Sequence, residues 1–146
     1  MVLCMNLRLD TDAIRYISLF ESLTGATVKD CLIDEDGNKL IMVVKKGHMG
    51  LAIGKKGSNI NRVKKLLGKD IQVVEHSHDA REFLENLLHP IRVKNVQILS
   101  RNNKKWAYVE VLARDKAIAI GKNGKNIRKI KLLMQRNLGI DNVVIK

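Results

Sequence analysis

The chain has 146 residues, 45% of them hydrophobic and 29% charged, and 27 Lys+Arg against 15 Asp+Glu give it a net charge of +12. This composition excludes a disordered tail and fits one folded domain or two small ones. The N-terminus lacks a signal-peptide pattern, no apolar run reaches the ~18 residues of a membrane span, and only two cysteines occur, so we expect a cytoplasmic protein. Its positive net charge indicates that its surface binds nucleic acid.

The first half of the chain alternates helical and strand-like patterns. Apolar residues recur at helical spacing, then in short β-branched runs, with turn-forming residues between them. The predicted elements are a helix at 11–24, strands at 27–33 and 39–45, a short helix at 48–53, a helix at 57–67 and a strand at 71–75. The helical residues expected to face the core are Ile14, Ile17, Phe20, Leu23, Ile60, Val63, Leu66 and Leu67.

The second half repeats this order. The predicted elements are a helix at 79–88, strands at 92–99 and 105–112, a short helix at 115–120, a helix at 124–137 and a strand at 142–145. Pro90 ends the first of these helices because it biases His89 away from helical backbone angles. The helical residues expected to face the core are Phe83, Leu84, Leu87, Leu88, Ile127, Ile130 and Leu133. Trp106 and Tyr108 share one face of a strand and are expected in the core or an interface rather than as a stacking platform for bases.

A shift of 67 residues superimposes the chain on itself. The segment 51–57, LAIGKKG, matches 118–124, IAIGKNG, and Asn59-Ile60 matches Asn126-Ile127. Self-similarity at a fixed period indicates a repeated structural unit. We therefore expect two domains, 1–76 and 77–146. The residues between them are too few for a flexible linker, so the two domains should be rigidly juxtaposed.

The positive charge is concentrated in the same part of each repeat. Residues 45–69 contain eight Lys or Arg and no acidic residue, and residues 114–136 contain eight with one acidic residue. A single basic run is typical of a solvated helix face. Two runs in register with a repeat favour a shared binding function.

Each repeat carries the pattern GxxG between two amphipathic helices, as Gly54-Lys-Lys-Gly57 and Gly121-Lys-Asn-Gly124. The loop ends at a helix N-terminus, where backbone N–H groups and the helix dipole favour an anion. Glycine has no Cβ, so a phosphate backbone can approach the main chain closely. One GxxG is a weak signal, but two at equivalent positions predict a pair of phosphate-binding loops.

A helix–GxxG–helix segment beside a small sheet resembles the KH domain, whose loop holds about four nucleotides of single-stranded nucleic acid. In both repeats the additional helix and strand precede the β-α-α-β core, which is similar to the type II arrangement. The resemblance implies an α+β fold made of two tandem type II KH domains, each a three-stranded sheet packed on three helices.

The tandem pair, including the segment 71–88 and Pro90, resembles the two KH domains of the NusA family of transcription termination and antitermination factors, over about residues 10–146. It is similar to the short archaeal form, because 146 residues leave no room for the polymerase-binding and S1 domains of bacterial members. The resemblance implies single-stranded RNA as the partner, with RNA polymerase or other transcription factors as further candidates, and a role in transcription elongation and termination.

The resemblance places RNA binding on the two loops and on the first turns of the helices that follow them. The residues expected to bind RNA are Gly54, Lys55, Lys56, Gly57, Ser58, Asn59, Arg62, Gly121, Lys122, Asn123, Gly124, Lys125, Asn126 and Arg128. Four isoleucines flank the loops and either contact bases or pack in the core: Ile53, Ile60, Ile120 and Ile127.

Other functions have less support in the sequence. The segment 50–56 is one residue short of a nucleotide-binding P-loop and has no Ser or Thr after its lysine. His76 and His78 lack partners for a metal site. We therefore expect no enzyme activity, no metal and no cofactor. A ribosome-associated or ribosome-assembly protein is the alternative, since a type II KH domain also occurs in a small-subunit ribosomal protein. Single-stranded DNA stays open as a ligand.

Overall fold

The computed structural model describes residues 11–34 and 37–146. The chain divides after Ser77 into two compact units. Within the described residues, each unit contains one three-stranded sheet and three α-helices. This is the α+β architecture that the sequence predicts, and the element order in both units is confirmed. The N-terminal ten residues, including Cys4, lie outside the described residues; Cys31 is a free thiol buried in the first core.

In the first unit the elements are α1 Thr11–Thr24, β1 Val28–Ile33, β2 Lys39–Val44, α2 Met49–Ile53, α3 Ser58–Leu67 and β3 Asp70–Glu75. In the second unit they are α4 Ala80–Leu88, β4 Val93–Arg101, β5 Lys104–Val111, α5 Ala113–Ile120, α6 Lys125–Leu138 and β6 Asn142–Ile145. A single 3₁₀ turn separates the two helices after the middle strand, at Lys55–Gly57 and at Lys122–Gly124.

Both sheets mix antiparallel and parallel pairing. The middle strand, β2 or β5, pairs antiparallel with the strand before it and parallel with the last strand of its unit. Parallel neighbours need a long crossover, and here the helix–GxxG–helix segment supplies it. Each loop is therefore anchored at both ends, since the chain enters its crossover from one strand and leaves it into the neighbouring strand.

The first core lies between the sheet and the helices. Leu40 and Met42 of β2 are fully buried there against Phe20 of α1 and Val63 of α3. Because successive strand residues point to opposite faces, Ile41 and Val43 lie on the other face of the sheet. They are buried as well. This strand therefore reads as a continuous apolar run rather than an alternating one.

Two residues expected in the first core are exposed instead. Ile14 is 54% exposed and Leu66 is 59% exposed. Consecutive helical residues are about 100° apart, so Ile14 lies to one side of the buried row that runs through Ala13 and Phe20. In α3, Leu67 falls on the row of Ile60 and Val63, whereas Leu66 does not.

The second core uses the residues predicted for α4. Its four apolar side chains, from Phe83 to Leu88, are buried, and Asp79 caps the helix by accepting a hydrogen bond from the Arg81 N–H. From α6, Ile130, Leu133 and the unpredicted Met134 complete the packing, while Ile127 is only half-buried. As predicted, α4 ends before Pro90.

Candidate nucleic-acid interface

The first GxxG loop is a tight turn with three residues at positive φ. Gly54 adopts φ 75° and ψ 174°, Lys56 adopts φ 55° and ψ 30°, and Gly57 adopts φ 77° and ψ 13°. The pair of values at Gly54 is accessible essentially only to glycine. The chain therefore turns within four residues from the end of α2 into the start of α3.

The second loop has the same backbone conformation. Gly121, Asn123 and Gly124 adopt φ values of 81°, 56° and 74° at the equivalent positions. The left-handed conformation held by Lys56 in the first loop is held here by Asn123, and asparagine tolerates this conformation better than lysine does. The repeat seen in the sequence is therefore a repeat of loop geometry.

An asparagine in the following helix braces each loop. The Asn59 Nδ2 donates a hydrogen bond of 2.8 Å to the Leu51 carbonyl, and the Asn126 Nδ2 donates one of 2.8 Å to the Ala119 carbonyl. These bonds join the end of the helix before the loop to the start of the helix after it. Both asparagines, expected among the RNA-binding residues, thus have a structural role within the loop.

The first glycine of each loop is required by this close helix approach. A Cβ on Gly54 would lie 2.8 Å from the Asn59 backbone nitrogen, and one on Gly121 would lie 2.7 Å from that of Asn126. The second glycine, Gly57 or Gly124, has more room, because a Cβ there would meet only side-chain atoms at 3.3 Å or more. From the sequence, all four glycines were expected to let a phosphate backbone approach. In the structure, only the first glycine of each loop is also needed to avoid a clash with the backbone of the following helix.

The helices that follow the loops begin without a side-chain cap. The N-caps of α3 and α6 are Gly57 and Gly124, which have no side chain that could accept a hydrogen bond from the first turn. Two backbone N–H groups in each loop donate hydrogen bonds to carbonyls of the loop itself. In the first, the Gly57 N–H donates to the Gly54 carbonyl and the Ser58 N–H to the Lys55 carbonyl. An uncapped helix start retains the partial positive charge that favours an anion.

The charged side chains around the loops are mostly exposed. Lys55, Lys56 and Arg62 project from the first loop and α3, and Lys122 projects from the second loop. Arg128 folds back, and its Nη1 donates a 2.6 Å hydrogen bond to the Asn123 carbonyl. The remaining expected residues, Ser58 and Lys125, begin α3 and α6. All fourteen expected residues therefore belong to a loop or to the first turns of the helix after it.

An exposed aliphatic side chain precedes each loop by three residues. Leu51 is 47% exposed and Ile118 is 65% exposed, whereas the neighbouring alanines, Ala52 and Ala119, are fully buried. Neither Leu51 nor Ile118 is among the four isoleucines expected beside the loops, of which Ile60 is buried. Their equivalence in the repeat, one position before a buried alanine, is the signal that identifies them.

The described residues contain no cluster of three or more His, Cys, Asp or Glu arranged to hold a metal ion. His76 is buried and His78 is exposed. None of the helices in residues 11–34 and 37–146 has the length and apolar character needed to cross a bilayer.

Family models and known relatives match nearly the whole chain. The KH domain model matches residues 14–106, and the NusA-like second KH domain model matches residues 80–144. The "Probable transcription termination protein NusA" of Halobacterium salinarum is 40% identical over 139 residues, which are 95% of this chain and 98% of the relative. The protein of the same name from Methanococcus vannielii is 37% identical over 141 residues, which are 97% of this chain and 80% of the relative.

A solved structure has the same fold. The crystal structure of APE1850 superimposes with a TM-score of 0.79 at 38% identity, and the match covers 94% of this chain and all of that one. The resemblance to the tandem KH domains of the NusA family is thereby confirmed. With two tandem helix–GxxG–helix units and relatives that match 95–97% of its length, the chain belongs to the NusA family of tandem KH-domain proteins.

Proposed function

We propose that the chain binds single-stranded RNA through its two GxxG loops and acts in this way in the control of transcription elongation and termination. The observation that carries the proposal is the repeated loop geometry, in which a glycine-rich turn meets an uncapped helix start in both units. Membership of a KH family supports a nucleic-acid ligand, because the KH loop binds the backbone of about four nucleotides.

Phosphate binding by the loops follows from charge and from backbone access. The lysines at the centre of the first loop are exposed, and the second loop has an exposed lysine followed by Asn123. In each loop the N–H groups of the last glycine and of the residue after it already donate hydrogen bonds within the turn. We therefore assign phosphate contacts to the lysine side chains and to the amides of Lys55 and Lys56, and to the equivalent groups of Lys122 and Asn123.

Base contacts are assigned to the exposed aliphatic residues that precede the loops. Leu51 and Ile118 leave apolar surface beside the phosphate-binding turn. Unstacked bases of a single strand can cover such a surface, whereas a duplex keeps its bases stacked inside. This juxtaposition supports a preference for single-stranded RNA over duplex RNA.

The test places carboxylates where the phosphates would bind. In K55D/K56D and in K122D/N123D all four glycines remain, and Asp tolerates the left-handed conformation of residues 56 and 123. An Asp near a helix N-terminus also suits the dipole, so both variants should fold. We expect each variant to lower affinity for a single-stranded oligonucleotide at least tenfold, measured by fluorescence anisotropy.

A matched control separates a site from a general charge effect. K29D/R92D changes the net charge by the same amount as K55D/K56D, and both residues are exposed and lie outside the loops. This control should bind RNA within about twofold of the wild type. Equal losses in the control and in the loop variants would contradict the proposed site.

The role in transcription has its own test. The names of the two archaeal relatives support termination as the process. In a reconstituted assay with an archaeal RNA polymerase, the wild-type chain should change the fraction of transcripts that end at a terminator, and the loop variants should not. Co-sedimentation with ribosomal subunits, without any effect on termination, would instead favour the ribosome-associated alternative.

A further inference from the structure

The outer face of the second sheet carries an aromatic cavity. Trp106 and Tyr108 alternate along β5 with the buried Ala107 and Val109, so they point away from the core. Their ring centroids are 6.2 Å apart with an interplanar angle of 18°. Both are half-buried, and they line a cavity of about 530 Å³ together with Leu99, which is 53% exposed. This volume is in the range of small-ligand sites.

Two cations lie at the rim of this cavity. Arg101 and Lys104 are register partners on either side of the tight turn formed by Asn102 and Asn103. Like charges directly opposite each other destabilise a sheet. Neither side chain forms an ion pair within residues 11–34 and 37–146, and the described residues that line the cavity include no carboxylate. A bound anion would relieve this repulsion.

The first unit does not have this feature. The residues of β2 that correspond to Tyr108 and Glu110 are Ile41 and Val43, and both are buried. The equivalent of Trp106 is Lys39. The aromatic pair is therefore specific to the second unit and is not required by the fold that the two units share.

We propose that this cavity is a second nucleotide-binding site, in which a base of single-stranded RNA stacks on Trp106 while its phosphate contacts Arg101 and Lys104. Proteins that bind single-stranded nucleic acid without sequence preference stack its bases on aromatic rings and contact its phosphates with cationic side chains. The carboxylates of an acidic peptide would satisfy the two cations but would not stack on the half-buried indole. The combination of ring and charge favours a nucleotide.

The site is separate from the second GxxG loop. The loop adjoins the first residue of α6, whereas β6, which pairs with Trp106, follows the last residue of that helix. A helix of 14 residues is about 21 Å long. The cavity also lies on the face of the sheet opposite to the helices. The proposal consequently does not depend on RNA binding by the loops.

Trp106 is the single tryptophan in the sequence, so its fluorescence reports on this cavity alone. The probes are adenosine 5′-monophosphate and a single-stranded adenine oligonucleotide of about four nucleotides. We expect both to quench Trp106 saturably in the wild type and in K122D/N123D. R101E/K104E should raise the apparent Kd about tenfold or more, as expected when the phosphate contact becomes repulsive.

The control is K29E/R92E, which makes the same change in net charge. Arg92 lies next to the far end of β4, about 30 Å from Arg101 along the strand. Quenching in this control should match the wild type. Three results would overturn the proposal. The first is that Trp106 is not quenched although anisotropy shows that the oligonucleotide is bound, and the second is that quenching disappears in K122D/N123D. The third is that sedimentation without nucleotide shows self-association that shields Trp106. A loss of loop binding with Trp106 quenching intact would refute the proposed function and leave this site standing.

Discussion

The two glycines of one loop should respond very differently to alanine, because they have different neighbours. In Gly121→Ala the new Cβ would lie 2.7 Å from the Asn126 backbone nitrogen, at φ 81° and ψ 167°. Backbone strain in this glycine-only region costs about 1–3 kcal/mol. Forcing α6 away from the loop adds a cost of about the same size. We expect the free energy of unfolding of the second unit to fall by about 3 kcal/mol.

In Gly124→Ala the new Cβ has ordinary contacts, the nearest being the Arg128 Nη1 at 3.5 Å. The left-handed conformation costs an alanine about 1–2 kcal/mol. Reduced freedom of the unfolded chain offsets about 0.4–1 kcal/mol of that. The net loss should be about 1 kcal/mol, so the two variants should differ by about 2 kcal/mol.

Trp106 makes this difference measurable, because its fluorescence follows the second unit, residues 78–146. For a unit of this size, 1 kcal/mol shifts Tm by about 4–8 °C. Gly121→Ala should therefore melt about 8–16 °C below Gly124→Ala, without RNA present. In Gly124→Ala, by contrast, the free energy of RNA binding should fall by more than the free energy of unfolding. Equal melting temperatures for the two variants would refute the steric argument.

Three further predictions concern the loops. Asn59→Ala and Asn126→Ala each remove one hydrogen bond to a helix-end carbonyl and should cost about 1 kcal/mol in urea denaturation; no change would mean that the brace does not stabilise the loop. Lys56→Asn should raise stability by about 0.5–1 kcal/mol, because Asn suits φ 55°, yet weaken RNA binding; tighter binding would contradict the phosphate contact. The logarithm of RNA affinity should fall with the logarithm of salt by roughly 0.7 per phosphate neutralised, and K55D/K56D should reduce this slope by about half; an unchanged slope would place the contacts elsewhere.

The element order was predictable because local patterns determine it. Apolar periodicity and turn residues indicate each helix and strand, and the 67-residue repeat provides a second, independent copy of the prediction. Strand pairing is not local. The parallel pairing of β2 with β3 depends on the path of the crossover between them, which the spacing of apolar residues does not encode.

Burial was harder to predict than secondary structure. The expected core row of α1 included Ile14 because it is apolar, but in this turn the buried residue is Ala13. A small buried residue such as alanine carries almost no signal in hydrophobic periodicity. For the same reason Ala52 and Ala119 were passed over, and with them the exposed Leu51 and Ile118 that adjoin the loops.

The candidate site was located by its motif, but the motif did not reveal how its residues divide the work. The sequence grouped Gly54, Gly57 and Asn59 together as binding residues. Backbone conformation and packing separate them, since Gly54 makes room for the Asn59 backbone, and the Asn59 side chain braces the helix before the loop. These relations arise between residues of different helices, so they become visible only in three dimensions.

Binding of single-stranded RNA by the two loops can be measured residue by residue, by recording amide resonances of the ¹⁵N-labelled chain during addition of a single-stranded oligonucleotide. We predict that the largest shifts fall on residues 54–58 and 121–125, with duplex RNA producing smaller ones at the same concentration. Shifts spread evenly over exposed lysines and arginines of both units, or equal responses to the duplex, would contradict it.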